Sequence, residues 1–148
     1  KMAYAALLSG ITLAQVGLGS VHGLASPLGA FFPIPHGVVC GTLVASATRI
    51  NIHSMSAREP NNTALAKYWR TAEILCQRRF IDPQVAFNKL IDLLAQWTNE
   101  LALPRLSHYG LQETALDKVI AHCRGSSMKT NPIVLTDEEI RQVLLERL

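Results

Sequence analysis

From Met2 to Thr48 the chain carries no Asp, Glu, Lys or Arg, and its first acidic residue is Glu59. A charge-free run of that length has to be covered by protein or by lipid, because so much apolar surface is costly to leave in water. Met2 to Gly19 is about long enough for a spanning helix by the ~20-residue criterion. Ser9, Gly10, Thr12, Gln15, Gly17 and Gly19 dilute it, however, and no basic region and cleavage site precede a mature domain. Pro27, Pro33, Pro35 and two histidines are poorly suited to lipid. The run therefore reads as the buried centre of a larger protein, with no membrane partner. Lys1 opens directly onto a helical apolar pattern with no capping residue before it, which is how a fragment of a longer protein reads.

The rest of the composition narrows the class. With 148 residues, 49% of them apolar and 17% charged, the chain suffices for one domain with a real core. The net charge of +3 comes from scattered basic residues rather than a basic stripe with interleaved aromatics, so nucleic acid is not an expected partner. Cys40, Cys76 and Cys123 are odd in number and form no CxxC pair. That argues against a zinc ribbon or disulfide framework and for a reducing, cytoplasmic setting.

Helical signals run the length of the chain. Met2 to about Val16 reads as a helix rich in small residues, loosened by Gly17-Leu18-Gly19. Pro27 to Pro35 reads as a loop or broken turn, because three prolines and Gly29 disfavour regular helix. His36 opens a second apolar helix to about Ile52, followed by a polar connector from Asn51 to Asn62. Thr63 to Arg79 carries apolar residues at helical spacing. Asp82-Pro83 caps a helix running to about Leu101, and Gln112 to Arg124 forms another. Thr136 caps the last one, with Glu139 three residues later completing a capping box. No strand pattern or internal repeat occurs, so the expected fold class is all-α, a helical bundle, with residues 1–148 as a single domain.

Chemistry concentrates between Ser20 and Val39, where His22 and His36 sit among glycines, prolines and apolar residues. A buried imidazole without a polar partner loses water and gains nothing. One reading makes both rings core histidines bonded to backbone carbonyls. The other makes them ligands of a divalent metal, for which neutral imidazole is the commonest protein ligand. A catalytic metal usually keeps three or more protein ligands. The remaining donors would come from Asp82, Asp92 or Asp117, or from chain outside these residues, and the second is favoured because Asp82 reads as a helix cap and the other two as solvated positions. Cys40 and Cys76 fall on apolar helical faces and are expected in the core. His53, His108 and His122 are expected at the surface. Ser26 has no neighbouring base that would make it a nucleophile.

The run from Gly17 to Val39, GLGSVHGLASPLGAFFPIPHGVV, resembles the signature of the iron-containing (group III) alcohol dehydrogenases. His22 and His36-Gly37 fall on that family's two metal-binding histidine positions. The upstream AALLSGITLAQ, Leu103-Pro104, the YGL run at Tyr109 to Leu111 and Asn131-Pro132 fit as well, so the resemblance spans essentially the whole chain. It implies part of the family's metal-binding helical domain, without the N-terminal α/β domain that binds the nicotinamide cofactor. It also implies that the helix bearing the family's other two ligands, an Asp and a His four residues apart, is missing.

The implied activity of an intact parent is hydride transfer between an alcohol or aldehyde and NAD or NADP. The metal, Fe2+ or Zn2+, polarises the substrate oxygen. His22 and His36 would be two metal ligands, and Leu13 and Leu18 match substrate-pocket positions. Ser26 takes the place of a second, non-ligand histidine that many members hold near the nicotinamide, so it is expected to face the cofactor without titrating near neutrality. A homo-oligomer, a dimer or higher, is expected, and the 148 residues alone are expected to be inactive. Glycerol dehydrogenase and dehydroquinate synthase are rivals by fold, but their metal histidines are spaced differently. The alternative is a non-catalytic helical remnant or oligomerisation module with structural histidines.

Overall fold

Apolar residues at helical spacing, separated by cap and turn signals, form eight α-helices in the computed structural model, which describes residues 1–148. In order they are α1 (Met2–Val16), α2 (Ser20–Phe31), α3 (His36–Arg58), α4 (Thr63–Cys76), α5 (Pro83–Glu100), α6 (Leu116–His122), α7 (Ser126–Lys129) and α8 (Asp137–Leu145). There is no strand, and the all-α class holds. The capping signals also hold. Asp82 Oδ1 accepts from the Gln84 N–H at 2.8 Å, and Thr136 and Glu139 form the reciprocal capping box.

The molecule is organised around α3. One side of it, with Val39, Leu43, Ala47, Ile50 and Met55, packs into the main core with Leu24 and Leu28 of α2, Leu116 and Val119 of α6, and Ile140 and Val143 of α8. Its other side delivers Ile52 to a smaller core with Ala72 of α4 and Ala86, Phe87 and Leu90 of α5. A helix buried on both sides needs no amphipathic stripe, which is why its sequence shows none.

Three expectations change. The break expected from Pro27 to Pro35 narrows to Phe32–Pro35, because α2 runs through Pro27 to Phe31. Pro27 removes one backbone hydrogen bond, but Leu24, Ala25, Pro27 and Leu28 are all buried, and that burial outweighs the loss. The connector expected from Asn51 begins only after Arg58. Its polar residues are consistent with helix because they find partners: Asn51 pairs with Asn131 and Tyr68, and Ser54 Oγ donates to Glu139 Oε1 at 2.5 Å. Third, the charge-free block is buried only from Ser20 onward. No residue of α1 is buried, and Met2, Tyr4, Leu7 and Ile11 are exposed.

The α1–α2 junction is clamped by the far end of the chain. Gly17 has φ +76, and a Cβ there would sit 2.8 Å from Thr130 Oγ1. The Thr130 hydroxyl donates to the Leu18 carbonyl at 2.5 Å and accepts from the Leu18 N–H at 3.1 Å. Asn131 Oδ1 accepts from the Ser20 N–H at 2.9 Å. No single helix is long and apolar enough to cross a membrane; α1 and α2 together have the length and composition but bend by 95° at this junction.

Candidate metal centre

His22 lies in the first turn of α2, and His36 is the first residue of α3. The packing of α2 on α3 brings the two rings together, with centroids 5.2 Å apart and planes tilted by 53°. The sequence reading expects buried imidazoles, whereas His22 is half-buried and His36 is exposed. Both are helical residues with neighbours on one side and solvent on the other, so a ligand can reach them.

Cys40 was expected in the core, and the structure corrects this. It stands one turn after His36 on α3, so the two side chains share a face. Its Sγ is 3.4 Å from His36 Nε2 and 3.7 Å from His22 Nε2. The three donor atoms all lie within 4.8 Å of one another. The spacing of His36 and Cys40 was visible in the sequence as a four-residue interval on one helix; the apolar neighbours of Cys40 masked it.

Burial, and after it the charge of the neighbouring His36, hold the His22 imidazole below the usual histidine value. The neutral ring, which is the metal-binding form, is therefore favoured. Burial pushes the Cys40 thiol up. The cluster contains no carboxylate. Two imidazoles and a thiol suit a divalent transition metal and not magnesium or calcium, which take oxygen ligands. The residues present thus fit the metal that the resemblance implies.

Ser26 stands one turn after His22 on α2 and is exposed. The two share a small recess of about 100 Å³, closed on the far side by His122, Ser126 and Ser127. The recess exists because α2 approaches the α6–α7 segment closely at Gly23, where a Cβ would come within 3.1 Å of the Cys123 carbonyl oxygen. Leu18 lines two other clefts, of about 290 and 350 Å³, beside Tyr68 and Pro132; neither histidine lines them. Leu13 is exposed on α1. The structure therefore brings His22, His36, Cys40 and Ser26 into one neighbourhood and does not bring Leu13 or Leu18 to it. His53, His108 and His122 are exposed, as expected. A cleft of about 420 Å³ between the α3–α4 connection and α5 is lined by Trp69, Phe87, Leu65 and other residues that do not titrate, and so has no acid, base or ligand to offer.

Comparison with known proteins gives the family. The chain is 31% identical over its whole length to the 1-propanol dehydrogenase PduQ of Salmonella typhimurium, of which it covers 40%. It is 29% identical to alcohol dehydrogenase 4 of Schizosaccharomyces pombe, with 97% of this chain matched to 32% of that protein. Its fold superimposes on the crystal structure of a 1,3-propanediol oxidoreductase with a TM-score of 0.85 and 25% identity, covering 99% of this chain and 37% of the other. The chain thus spans 32% to 40% of the length of these relatives. The model of the Fe-containing alcohol dehydrogenase family, C-terminal, matches residues 1–148. The chain belongs to the Fe-containing alcohol dehydrogenase family, as its C-terminal helical domain.

Proposed function

We propose that this chain is the metal-holding part of an oxidoreductase that moves a hydride between a small alcohol and a nicotinamide cofactor. The observation that carries this reading is the convergence of His22 and His36 from two helices, with ring centroids 5.2 Å apart, in a chain of this family. When bound, a divalent metal supplies Lewis-acid polarisation of the substrate oxygen. The chain's own residues supply the grip. His22 and His36 each offer a neutral imidazole lone pair, and the packed α2 and α3 hold the two at a fixed separation. Ser26, one turn from His22 in the shared recess, offers a hydroxyl to the cofactor side; it donates and accepts hydrogen bonds but does not change charge near neutral pH. Leu13 and Leu18, which stand on α1 and at its junction with α2 rather than beside the histidines, would contribute an apolar wall to the substrate pocket of the whole enzyme.

The nicotinamide site and further metal ligands belong, in this reading, to chain beyond these 148 residues, and the whole enzyme is a homo-oligomer. The three unpaired cysteines favour a reducing, cytoplasmic setting. The test uses the enzyme that carries this domain, with its metal measured per chain and turnover of short primary alcohols followed with NAD or NADP. One divalent metal per chain is expected in the parent, and none after His22→Ala or His36→Ala, with activity lost in both. Full metal occupancy and turnover in both variants would sink the reading. The isolated 148 residues are expected to show no turnover.

The exposed apolar length of α1 favours a second reading, a non-catalytic interaction module with structural histidines. A parent without metal but with an intact fold and a concentration-dependent size would support it.

A further inference from the structure

We propose that Asn131 is a positioning residue for the metal centre, capping in trans the helical turn that carries His22. This rests on the metal reading of His22 and His36, and adds what holds the first of them in place.

The first N–H groups of a helix have no partner inside it, and a side chain at the cap position normally supplies one. α2 has no such residue of its own. Gly19 stands at the cap position and offers no side chain, and the Ser20 hydroxyl is buried without a hydrogen-bond partner. The acceptor comes instead from 111 positions away, where Asn131 Oδ1 takes the Ser20 N–H at 2.9 Å. Gly19 makes room for that approach, because a Cβ there would stand 3.1 Å from Asn131 Oδ1. Its backbone, at φ −142, is open to any residue, so closeness and not conformation calls for glycine. His22 lies in the turn that Asn131 closes, two residues after Ser20.

The same side chain reaches the helix that His36 opens. Asn131 Nδ2 donates to Oδ1 of Asn51, a buried residue of α3, at 2.8 Å, and Asn51 Nδ2 returns a bond at 3.3 Å. A further bond from Asn131 Nδ2 to the Ile133 carbonyl at 2.8 Å fixes the amide itself. One group therefore holds the starting turn of α2 against α3. Apolar contact between the two helices, through Leu24, Leu28, Val39 and Leu43, is non-directional and survives loss of the amide. The direction of the first turn does not survive it. Without Asn131 that turn frays, and His22 is no longer held beside His36. Residues behind the ligands of a metal site typically command 10–100-fold in affinity, because they fix where the ligands point.

The test uses the enzyme that carries this domain, whose metal content decides the metal reading first. Loaded with cobalt(II), Asn131→Ala is expected to release the ion to EDTA at least about tenfold faster than the unaltered enzyme, with altered visible cobalt bands. Amide hydrogen exchange should rise in the turn from Ser20 to Gly23. Phe87→Leu, in the smaller core, controls for lost stability; it should lower the melting temperature and leave release rate and spectrum unchanged. Gly19→Ser added to Asn131→Ala gives α2 a cap of its own in the space the asparagine leaves, and should recover most of the slow release. Asn131→Asp keeps the acceptor for Ser20 and loses the donor to Asn51, and slow release is expected for it too. Unchanged release in Asn131→Ala, equal acceleration in Phe87→Leu, or fast release in either the Gly19→Ser double variant or Asn131→Asp would overturn the proposal. An enzyme that holds no metal would sink the metal reading and the positioning role with it. Exchange in the first turn reads the cap without metal, and unchanged exchange in Asn131→Ala would overturn the capping by itself.

Discussion

Asn51 and Asn131 exchange side-chain amides across the molecule. Asn131 Nδ2 donates to Asn51 Oδ1 at 2.8 Å, and Asn51 Nδ2 donates to Asn131 Oδ1 at 3.3 Å. Asn131 Nδ2 also donates to the Ile133 carbonyl at 2.8 Å, and Asn131 Oδ1 takes the Ser20 N–H. One side chain thus ties the start of α2, the middle of α3 and the approach to α8. Asn131→Ala should strand the Asn51 side-chain oxygen and the Ser20 N–H together, while Asn51 Nδ2 keeps the Tyr68 hydroxyl. A loss of about 2–3 kcal/mol is expected, from the usual cost of leaving buried polar groups unpaired. Urea unfolding of the two proteins side by side would measure it, and a difference below about 0.5 kcal/mol would mean that water replaces the amide without cost.

Acid should weaken the fold through Glu139. Burial acts to raise its carboxyl, but the Ser54 hydroxyl, the Thr136 N–H and Arg58 together outweigh that and hold it below the usual glutamate value. A depressed carboxyl contributes stability that is fully present above its unfolded value of about 4.3 and is lost as pH falls through the lower folded value. The urea midpoint should therefore drop below about pH 4.3. In Glu139→Gln, which lacks the capping-box carboxylate, the unfolding free energy should start lower by about 1 kcal/mol and respond less to acid. Parallel acid responses in both proteins would assign the effect to other groups.

Gly23→Ala should loosen the helix that carries His22. The new Cβ would meet Met128 Cε at 2.9 Å and the Cys123 carbonyl at 3.1 Å. The methionine tip can swing away, but the carbonyl is backbone, so α2 must shift outward. A cost of about 1–3 kcal/mol is expected from overpacking. Because Gly23 follows His22 directly, weaker metal binding should accompany the lower melting temperature. A variant with unchanged stability would show that the α6–α7 segment yields instead.

Zinc should raise the melting temperature of the enzyme that carries this domain, because an ion that binds only the folded state stabilises it by mass action. At a free concentration of about 100 times the dissociation constant, the gain is about 2.7 kcal/mol. His36→Ala should abolish the gain, and EDTA should reverse it in the unaltered enzyme. An equal zinc effect in His36→Ala would place the ion elsewhere.

The sequence made the helices and caps legible because those signals are local. Asp82-Pro83 and the Thr136–Glu139 box need only their own neighbours, and both were found where the residues stand. What it hid depends on packing between distant segments. Pro27 reads as a breaker until the burial of Leu24 and Leu28 is known, and the polar residues after Ile50 read as loop until Asn131 and Glu139 appear beside them. At the metal centre His22 and His36 stood out by being polar in an apolar run. Cys40 did not, because a cysteine among valines looks like any other small core residue until the opposite helix brings an imidazole to its sulfur.

The clamp that Thr130 places on Leu18 joins residues 112 positions apart, and this fixes an order of events during synthesis. When α2 leaves the ribosome, nothing yet holds its first turn, where His22 stands. At about 5–20 residues per second, the hydroxyl that closes on Leu18 is made on the order of ten seconds later. For that interval α2 has α3 to pack against but lacks the tie from Leu18 to Thr130. The start of α2, beside His22, is therefore tied down only once Thr130 has emerged.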